Sequence, residues 1–210
     1  MTASSCSRSR SSPRPGLVEP HLDALIVLLS DPHGSLRLSG AVGLAGLAEA
    51  APTRVQRAIP ELTALLADDA PAIQLAALRA LTRVGTRFPA TVAIADGPVT
   101  ARFSTTGPRI RTAVLSVFSA AVLADPSRFP ETVGAYERAL DDESARVRRC
   151  AASTIAAVAG ADPTALDSLE RLVHRVEAIE RRVSDDPRNH DTGVEGAAYT
   201  LRSLVESDGA

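Results

Sequence analysis

The sequence contains no lysine and no tryptophan, and it is poor in aromatic residues of every kind. Of its 210 residues, aromatic residues make up 3% and hydrophobic residues 45%. Because so few large rings are available, Ala, Leu and Val must fill the interior, which suits closely packed helices better than sandwiched sheets. All 23 basic residues are arginines, a bias from which we infer no function.

Cysteines and long apolar runs are also scarce. Cys6 lies in a polar segment and Cys150 in an apolar helical pattern, so the two thiols do not suggest a disulfide framework, and we expect a cytoplasmic protein. The longest apolar run, residues 24–29, is far shorter than the roughly 20 residues of a membrane helix. No apolar stretch separates the arginines near the N-terminus, so we expect no secretory signal. These features predict a soluble protein with no membrane partner.

The charge balance disfavours binding to nucleic acid. The formal net charge is −2, and subtracting the three arginines of the first 16 residues (Arg8, Arg10 and Arg14) leaves −5 for the rest. Proteins bind the phosphate backbone mainly through positive charge, and single strands also through stacking on aromatic side chains. Nucleic acid is therefore an unexpected partner.

Residues of one type recur at intervals of 37. Four prolines stand at this step, and so do a column of small residues and two columns of apolar residues. The columns are Pro52, Pro89, Pro126 and Pro163; Ser39, Ala76, Ala113 and Cys150; Leu36, Ile73, Ile110 and Val147; and Leu44, Leu81, Phe118 and Ile155. Several columns in one register indicate a repeat architecture.

Each unit has the pattern of a helical hairpin. Apolar residues recur at steps of three and four in two segments joined by a short polar turn, and proline separates one unit from the next. One hairpin is too small to bury its own apolar face, so the hairpins must stack. We therefore predict an all-α fold, an α-α superhelix (solenoid) of about five helical hairpins. Their predicted bounds are 17–51, 52–88, 89–125, 126–162 and 163–206, between a disordered Ser/Arg/Pro-rich tail (1–16) and a short tail (207–210).

The units resemble HEAT repeats in their length, in the proline near the first helix, and in an Asp between the helices with a basic residue six positions later. Asp31 with Arg37 and Asp142 with Arg148 match both positions, whereas Gln74 follows Asp68, and Thr105 precedes Arg111. The resemblance covers residues 17–206 and implies fold rather than function. It implies a structural ladder between repeats, weakened in the middle, that is formed by Asp31, Arg37, Asp68, Arg111, Asp142 and Arg148.

Two units depart from the pattern. In the third repeat, which is degenerate, residues 91–103 contain Asp-Gly-Pro between β-branched residues, and we expect a broken, partly extended segment with at most a short helix. This segment is either tolerated drift or a contact loop. In the fifth, we expect a long first helix (164–183), a polar connection (185–192) and a last helix (193–205) that together cap the array.

The sequence offers no catalytic constellation. It has no phosphate-cradling glycine loop, no nucleophile elbow and no paired metal-ligand motif, so we expect no enzyme activity, no metal and no cofactor. Cys150 lies in the column of small residues, which favours a buried packing thiol. The Asp68-Asp69 and Asp141-Asp142 pairs stand at predicted helix starts, where capping is the expected role.

Presentation of a surface is therefore the predicted function. In HEAT arrays the second helices line the concave face, and the resemblance implies that Arg79, Arg83, Ser116 and Arg149 project from it here. These residues form either a partly basic groove for an acidic or extended segment of another protein, or a merely solvated face. We expect a protein–protein interaction scaffold. The alternatives are an accessory or lyase-type protein of HEAT-like fold that acts on a cofactor-bearing client and, less favoured, a nucleic-acid-binding protein.

Overall fold

The computed structural model describes residues 15–184 and 192–208, and no β-strand occurs among them. The α-helices are α1 (Pro15–Leu28), α2 (Gly34–Ala50), α3 (Pro52–Val55), α4 (Ile59–Ala64), α5 (Pro71–Arg87), α6 (Pro89–Val92), α7 (Asp96–Ala101), α8 (Pro108–Val117), α9 (Ser119–Ala124), α10 (Pro130–Ala139), α11 (Ala145–Ala161), α12 (Leu169–Ser184) and α13 (Thr192–Asp208). Short 3₁₀ turns connect several of them, for example Gln56–Ala58 and Ala93–Ala95. None of the described helices is both long and apolar enough to cross a membrane.

The helices form two layers that follow the order of the chain. In one layer, α2 packs on α5, α5 on α8, α8 on α11, and α11 on α13. In the other layer, α1, α4, α7, α10 and α12 each pack against the second helix of their own repeat. Contacts between neighbouring repeats therefore dominate the packing, and the predicted all-α solenoid is confirmed.

The core is continuous through the array because the residues of the two apolar columns, with the exception of Leu36, are buried. Leu44, Leu81, Phe118 and Ile155 are each 0% exposed. In the second apolar column, Leu36 is 40% exposed, whereas the other members are buried. Leu36 lies in α2, and among the described residues no second helix of an earlier repeat packs against α2 to cover it.

Proline begins helical segments at the repeat boundaries. Pro52 and Pro89 are the first residues of α3 and α6, and Pro126 and Pro163 begin 3₁₀ turns. Proline suits this position because the amides of the first turn have no partner inside the helix and the ring fixes a helical φ. The 37-residue proline column therefore marks the start of each new repeat.

The expectation of a partly extended backbone at residues 91–103 was wrong, whereas the expected break into short helices is present. The described backbone there is helical, with α6, a 3₁₀ turn and α7 in succession. Val92, Ala95 and Val99 are each 0% exposed and recur at helical spacing, so burial on a helical period outweighs the local turn signal of Asp-Gly-Pro. Pro98 is the third residue of α7, where a missing N–H is tolerated.

The second helix of the third repeat is divided into α8 and α9 by a break at Phe118, which has φ −104° and ψ 5°. Tyr136, fully buried in α10, donates its hydroxyl to the carbonyl oxygen of Leu115 at 3.0 Å. In an uninterrupted helix this oxygen would accept from the backbone N–H of Ser119. A side chain that takes a carbonyl out of the helical ladder is a recognised cause of such a break.

The termini and the fifth repeat differ from the predicted bounds by a few residues. Helix α1 begins at Pro15, inside the predicted tail, and α13 continues to Asp208. Helix α12 begins at Leu169 rather than at residue 164, because Leu166 has an extended backbone after the 3₁₀ turn at Pro163. Residues 1–14, 185–191 and 209–210, which include most of the predicted tails and of the polar connection, lie outside the described residues.

Candidate functional site

The outer surface of the second helices also follows the repeat. Val42 of α2, Arg79 of α5, Ser116 of α8 and Ser153 of α11 are separated by steps of 37, and all four are exposed. Arg109 and Arg146 form another exposed pair at the same step. Side chains at equivalent positions therefore lie side by side across successive repeats, on a surface that we call the second-helix face.

A cavity of about 630 Å³ opens on this face across α5, α8 and the start of α11. We call it the groove. Its lining residues are Leu75, Leu78, Arg79, Thr82, Arg83, Arg109, Thr112, Ala113, Ser116 and Arg146.

The groove brings together three of the four residues that the sequence analysis selected, namely Arg79, Arg83 and Ser116. Arg149 does not line it; this residue is half-buried and makes an interaction of its own. Arg109 and Arg146 were missed, although the 37-residue step between them was a signal that could have identified them. Both lie in the first turn of a second helix.

The arginines of the groove differ in what they bind. The guanidinium of Arg83 donates to the carbonyl oxygen of Ala45 at 3.1 Å and lies 3.1 Å from the carboxylate of Glu49, so it joins α5 to α2. Arg79, Arg109 and Arg146 make no hydrogen bond or ion pair with the described residues. Three unpaired guanidinium groups from three successive repeats therefore line one cavity.

The hydroxyl groups of the groove have their protons engaged within their own helices. Thr82 donates to the carbonyl oxygen of Leu78 at 2.8 Å, Thr112 donates to that of Pro108 at 2.9 Å, and Ser116 donates to that of Thr112 at 2.9 Å. None of the lining residues carries a carboxylate. The side-chain donors that the groove offers to a ligand are consequently its arginines.

A smaller cavity of about 370 Å³ adjoins the groove between the starts of α5 and α8. We call it the dimple. Its lining is apolar except for Arg109, and it shares Leu75 and Arg109 with the groove. Its remaining residues are Pro71, Ala72, Gly107, Pro108 and Ile110. Arg109 therefore stands between an apolar pocket and a basic one.

The ladder residues lie on the turns between the helices and in the first turn of the second helices. The Nε atom of Arg37 is 2.7 Å from Oδ2 of Asp68, and that of Arg111 is 2.7 Å from Oδ2 of Asp142. Arg37 and Arg148 also donate to the carbonyl oxygens of Asp31 and Asp142 in their own turns, at 2.9 and 2.7 Å. These contacts fix the turns and join neighbouring repeats.

The aspartates of these turns accept from the backbone N–H two residues later. The partners are His33 for Asp31, Ala70 for Asp68 and Ser144 for Asp142, at 2.8, 2.9 and 2.8 Å. The carboxylates thus stabilise the turn before the helix rather than capping the helix itself. The hydrogen bond that Arg37 donates to Asp68 lowers the pKa of Asp68, and the hydrogen bond that Arg111 donates to Asp142 raises the pKa of Arg111.

The ladder has a gap between the second and third repeats. Gln74 stands where the other turns have arginine, and it donates Nε2 to the carbonyl oxygen of its own Asp68 at 2.6 Å. The position that would receive an arginine from α5 is Thr105, which has no carboxylate. The buried Oε1 of Gln74 has no hydrogen-bond partner among the described residues.

Asp96 is a buried carboxylate that the sequence analysis did not select. It is 5% exposed and accepts from the backbone N–H groups of Glu131 and Thr132, at 3.0 and 3.1 Å, and from the Thr132 hydroxyl. These donors lie at the start of α10, where backbone N–H groups have no acceptor inside the helix. Asp96 therefore supplies the acceptor for the first turn of a helix in the next repeat. Burial raises the pKa of the carboxyl.

The remaining nucleophilic and metal-binding candidates do not converge. Cys150 is a half-buried free thiol against the core, and burial raises its pKa. His33 is exposed and bonds to Asp31 in its own turn. The described residues contain no cluster of three or more His, Cys, Asp or Glu that could hold a metal ion.

Solved structures of similar fold include designed helical repeat proteins. One designed armadillo repeat protein is 17% identical, with a TM-score of 0.68, and the match covers 90% of this chain and 84% of that one. Computationally designed armadillo repeat proteins for modular peptide recognition match at 16% identity and a TM-score of 0.70, with the same coverage. A third match, at 16% identity, the same coverage and a TM-score of 0.65, is a designed armadillo repeat protein in complex with the peptide (KR)4. No protein-family model and no curated protein matches the sequence. At these identities the likeness shows the helical solenoid fold alone.

Proposed function

We propose that this protein is a scaffold that binds an extended segment of a partner protein in the groove of its second-helix face. One observation carries the proposal: Arg79, Arg109 and Arg146, from three successive repeats, line a single cavity without a partner among the described residues. A surface that crosses several parallel helices suits a chain that runs across the repeats. An extended segment exposes its backbone and alternate side chains to such a surface.

The fold comparison supports peptide binding as the mode. A designed armadillo repeat protein of similar fold has been solved with a bound (KR)4 peptide, and others were designed for modular peptide recognition. The repeats of the present chain stack in the same general way. Its function on this proposal is to hold a partner, not to transform one, and the raised pKa of the Cys150 thiol argues against a nucleophilic role at neutral pH.

We also propose that the repeats are of the HEAT type. The Arg37–Asp68 and Arg111–Asp142 contacts between neighbouring repeats support this assignment, because they use the positions that the resemblance selects. Sequences of homologous proteins test it. On the HEAT assignment the Asp and Arg positions of one junction are retained or lost together, and independent variation of the two positions contradicts it.

Selection from a library of random peptides displayed on phage tests the scaffold function. The bait is the full chain, and a parallel bait carries Ser116→Trp, which places an indole in the groove at an exposed position. The matched control is Ala90→Trp, an exposed position of α6 that does not line the groove. We expect peptides that bind the wild type and Ala90→Trp but lose at least about tenfold in affinity to Ser116→Trp.

Circular dichroism and thermal melting must show that both tryptophan variants keep the wild-type helix content and stability. With that condition met, peptides that bind Ser116→Trp as tightly as the wild type place the binding surface elsewhere and contradict the proposal. A selection that enriches no peptide contradicts it as well. Enrichment of groove-dependent peptides supports it whatever their charge.

A further inference from the structure

We propose that the segment held in the groove is acidic, with its carboxylates on Arg79, Arg109 and Arg146, and that it carries an apolar side chain that enters the dimple beside Arg109. This inference rests on the proposed function and adds the chemistry of the partner. The occupant to which it commits is an Asp/Glu-rich stretch of another protein.

The charge of the groove favours an acidic segment. Four of its ten lining residues are arginines and none is acidic. The nearby Glu49 is already engaged by Arg83. The protein is net negative outside its first 16 residues, yet three unpaired arginines lie in one cavity. Their positive potential attracts an anionic segment and repels a cationic one.

The hydrogen-bonding groups of the groove also favour a ligand that brings acceptors. The hydroxyls of Thr82, Thr112 and Ser116 donate into their own helices, so toward a ligand they can only accept. The arginines supply planar, bidentate donors that match a carboxylate. A ligand that brings acceptors is favoured, whereas a ligand that brings ammonium or guanidinium groups finds no acceptor with a negative charge.

A short extended peptide is long enough to contact the arginines of all three repeats. Packed helices lie about 8–10 Å apart, and an extended chain advances about 3.3 Å per residue, so about three residues pass each repeat. Arg109 and Arg146 are one 37-residue step apart, whereas Arg79 lies seven positions, about 10 Å, further along α5 than their equivalent Ala72. A segment that meets all three arginines therefore spans about seven or eight residues. Because alternate side chains point the same way, several acidic residues can face the arginines at once.

The dimple supplies the apolar half of the recognition. It is lined by Ala72, Leu75, Ile110 and two prolines at the starts of α5 and α8, whereas the groove continues further along both helices. An extended segment that crosses these helices at Arg109 has the dimple on one side and the groove on the other. Its carboxylates can therefore enter the groove while an alternate, apolar side chain lies in the dimple and excludes water from the ion pair. A purely acidic segment leaves the dimple uncovered.

Fluorescence anisotropy with labelled synthetic peptides of about ten residues tests the inference on the full chain. The probes are alternating Glu-Leu, alternating Glu-Ser, alternating Gln-Leu and the (KR)4 peptide named for the comparison structure. We expect Glu-Leu to bind most tightly, Glu-Ser and Gln-Leu each about tenfold more weakly, and (KR)4 not at all. Raising sodium chloride from about 0.05 to about 0.5 M should weaken Glu-Leu binding several-fold.

Single substitutions assign the contacts. Arg109→Gln or Arg146→Gln should weaken Glu-Leu binding about tenfold, whereas Arg87→Gln, an exposed arginine of α5 that does not line the groove, should leave it unchanged. Ala72→Trp, which fills the dimple at an exposed position, should weaken Glu-Leu to the level of Glu-Ser and leave Glu-Ser unaffected. Thermal melting of each variant controls for folding.

The possible failures are distinguishable. If Glu-Leu does not bind at about millimolar concentration, or binds equally to the wild type, Arg109→Gln and Arg146→Gln, the acidic partner is overturned. The scaffold proposal still stands if the phage selection gives neutral or basic peptides that depend on the groove. A single-stranded oligonucleotide or a phosphopeptide that binds the same arginines more tightly than Glu-Leu would also overturn this inference.

Discussion

The Nε atom of Arg37 lies 2.7 Å from the Oδ2 atom of Asp68, across the boundary between the first and second repeats. The side chain of Asp68 is 6% exposed, so its carboxylate depends on this partner and on the N–H of Ala70. The hydrogen bond from Arg37 is the main reason that the pKa of Asp68 lies below its usual value. The contact therefore joins the two repeats in a way that depends on pH.

Replacing Arg37 with glutamine, the residue that the second repeat has at the equivalent position 74, should lower the free energy of unfolding at pH 7 by about 1–3 kcal/mol. The folded pKa of Asp68 lies below the unfolded value of about 3.9, so the stabilisation is present above that pH and is lost as the pH falls through the folded pKa. Urea unfolding between pH 7 and pH 2 should show a smaller loss for the variant. Arg87→Gln is the control. If Arg37→Gln loses as much free energy of unfolding between pH 7 and pH 2 as the wild type does, Arg37 is not the cause of the lowered pKa of Asp68.

The gap in the ladder between the second and third repeats can be filled. Gln74→Arg alone should destabilise the protein, because it places a charge at a buried position without a carboxylate partner. Gln74→Arg combined with Thr105→Asp should recover that loss, since the pair then copies Arg37–Asp68. A double-mutant cycle in urea should give a favourable coupling of about 1 kcal/mol or more. Additive effects of the two substitutions would show that the two positions do not meet.

The repeat register was predictable from the sequence because it depends on local chemistry that recurs. Proline at positions 52 and 89 begins helices, and the apolar columns are buried. Arg79 and Ser116 could be placed on one surface because they share the 37-residue step. What local patterns could not show was a contact made by a residue far along the chain.

Asp96 is the clearest example of such a contact. In the sequence, Asp-Gly-Pro is typical of a turn, but the carboxylate accepts from the start of α10, 35 and 36 residues later. The equivalent positions one repeat away hold Ile59 and Val133, which are buried, so the column predicts an apolar residue there. Arg146, rather than the predicted Arg149, lines the groove: Arg146 is exposed and has Arg109 at the 37-residue step, whereas Arg149 is half-buried.

The hydroxyl of Tyr136 should contribute measurably to stability. It is fully buried and donates to the Leu115 carbonyl oxygen at 3.0 Å, so Tyr136→Phe leaves that oxygen without this donor. We expect a loss of about 1–2 kcal/mol in the free energy of unfolding. Tyr199→Phe is the matched control, because Tyr199 is 71% exposed. Equal unfolding curves for the two variants would contradict the proposed role of the Tyr136 hydrogen bond.

The buried carboxyl of Asp96 should give a pH dependence of opposite sign to that of Asp68. Burial raises its folded pKa above the unfolded value, so its contribution is fully present below about pH 3.9 and decreases as the pH rises through the folded pKa. Relative to Asp96→Asn, wild-type stability should therefore fall between about pH 4 and pH 7. Urea unfolding of both proteins across this range measures the difference, and a constant difference would refute it.

Asp96→Ala tests the hydrogen bonds of the same side chain. It leaves the N–H groups of Glu131 and Thr132 without their acceptor at the start of α10. Loss of a helix-capping side chain costs about 0.5–2 kcal/mol, and burial of the donors adds to this. We therefore expect Asp96→Ala to be less stable than Asp96→Asn at pH 7. If Asp96→Asn is instead the less stable variant, burial of the asparagine amide costs more stability than loss of the acceptor for the two N–H groups.

Two glycines of α2 should respond in opposite ways to the same substitution. A Cβ atom at Gly46 would meet nothing within 4 Å, whereas one at Gly40 would lie 2.9 Å from the backbone oxygen of Leu25 in α1. Gly46→Ala should raise the free energy of unfolding by about 0.5–1 kcal/mol, because alanine restricts the unfolded chain and favours the helix.

Gly40→Ala should lower the free energy of unfolding despite the same gain in helix propensity, because α1 and α2 can approach this closely only where no side chain intervenes. The obstructing atom belongs to the backbone, so relief requires the two helices to move apart, and the buried contacts between them are lost. Urea unfolding of the two variants beside the wild type measures both effects. Stabilisation by Gly40→Ala as large as that by Gly46→Ala would mean that α1 can withdraw from α2 without cost, and that the first repeat is not held by this contact.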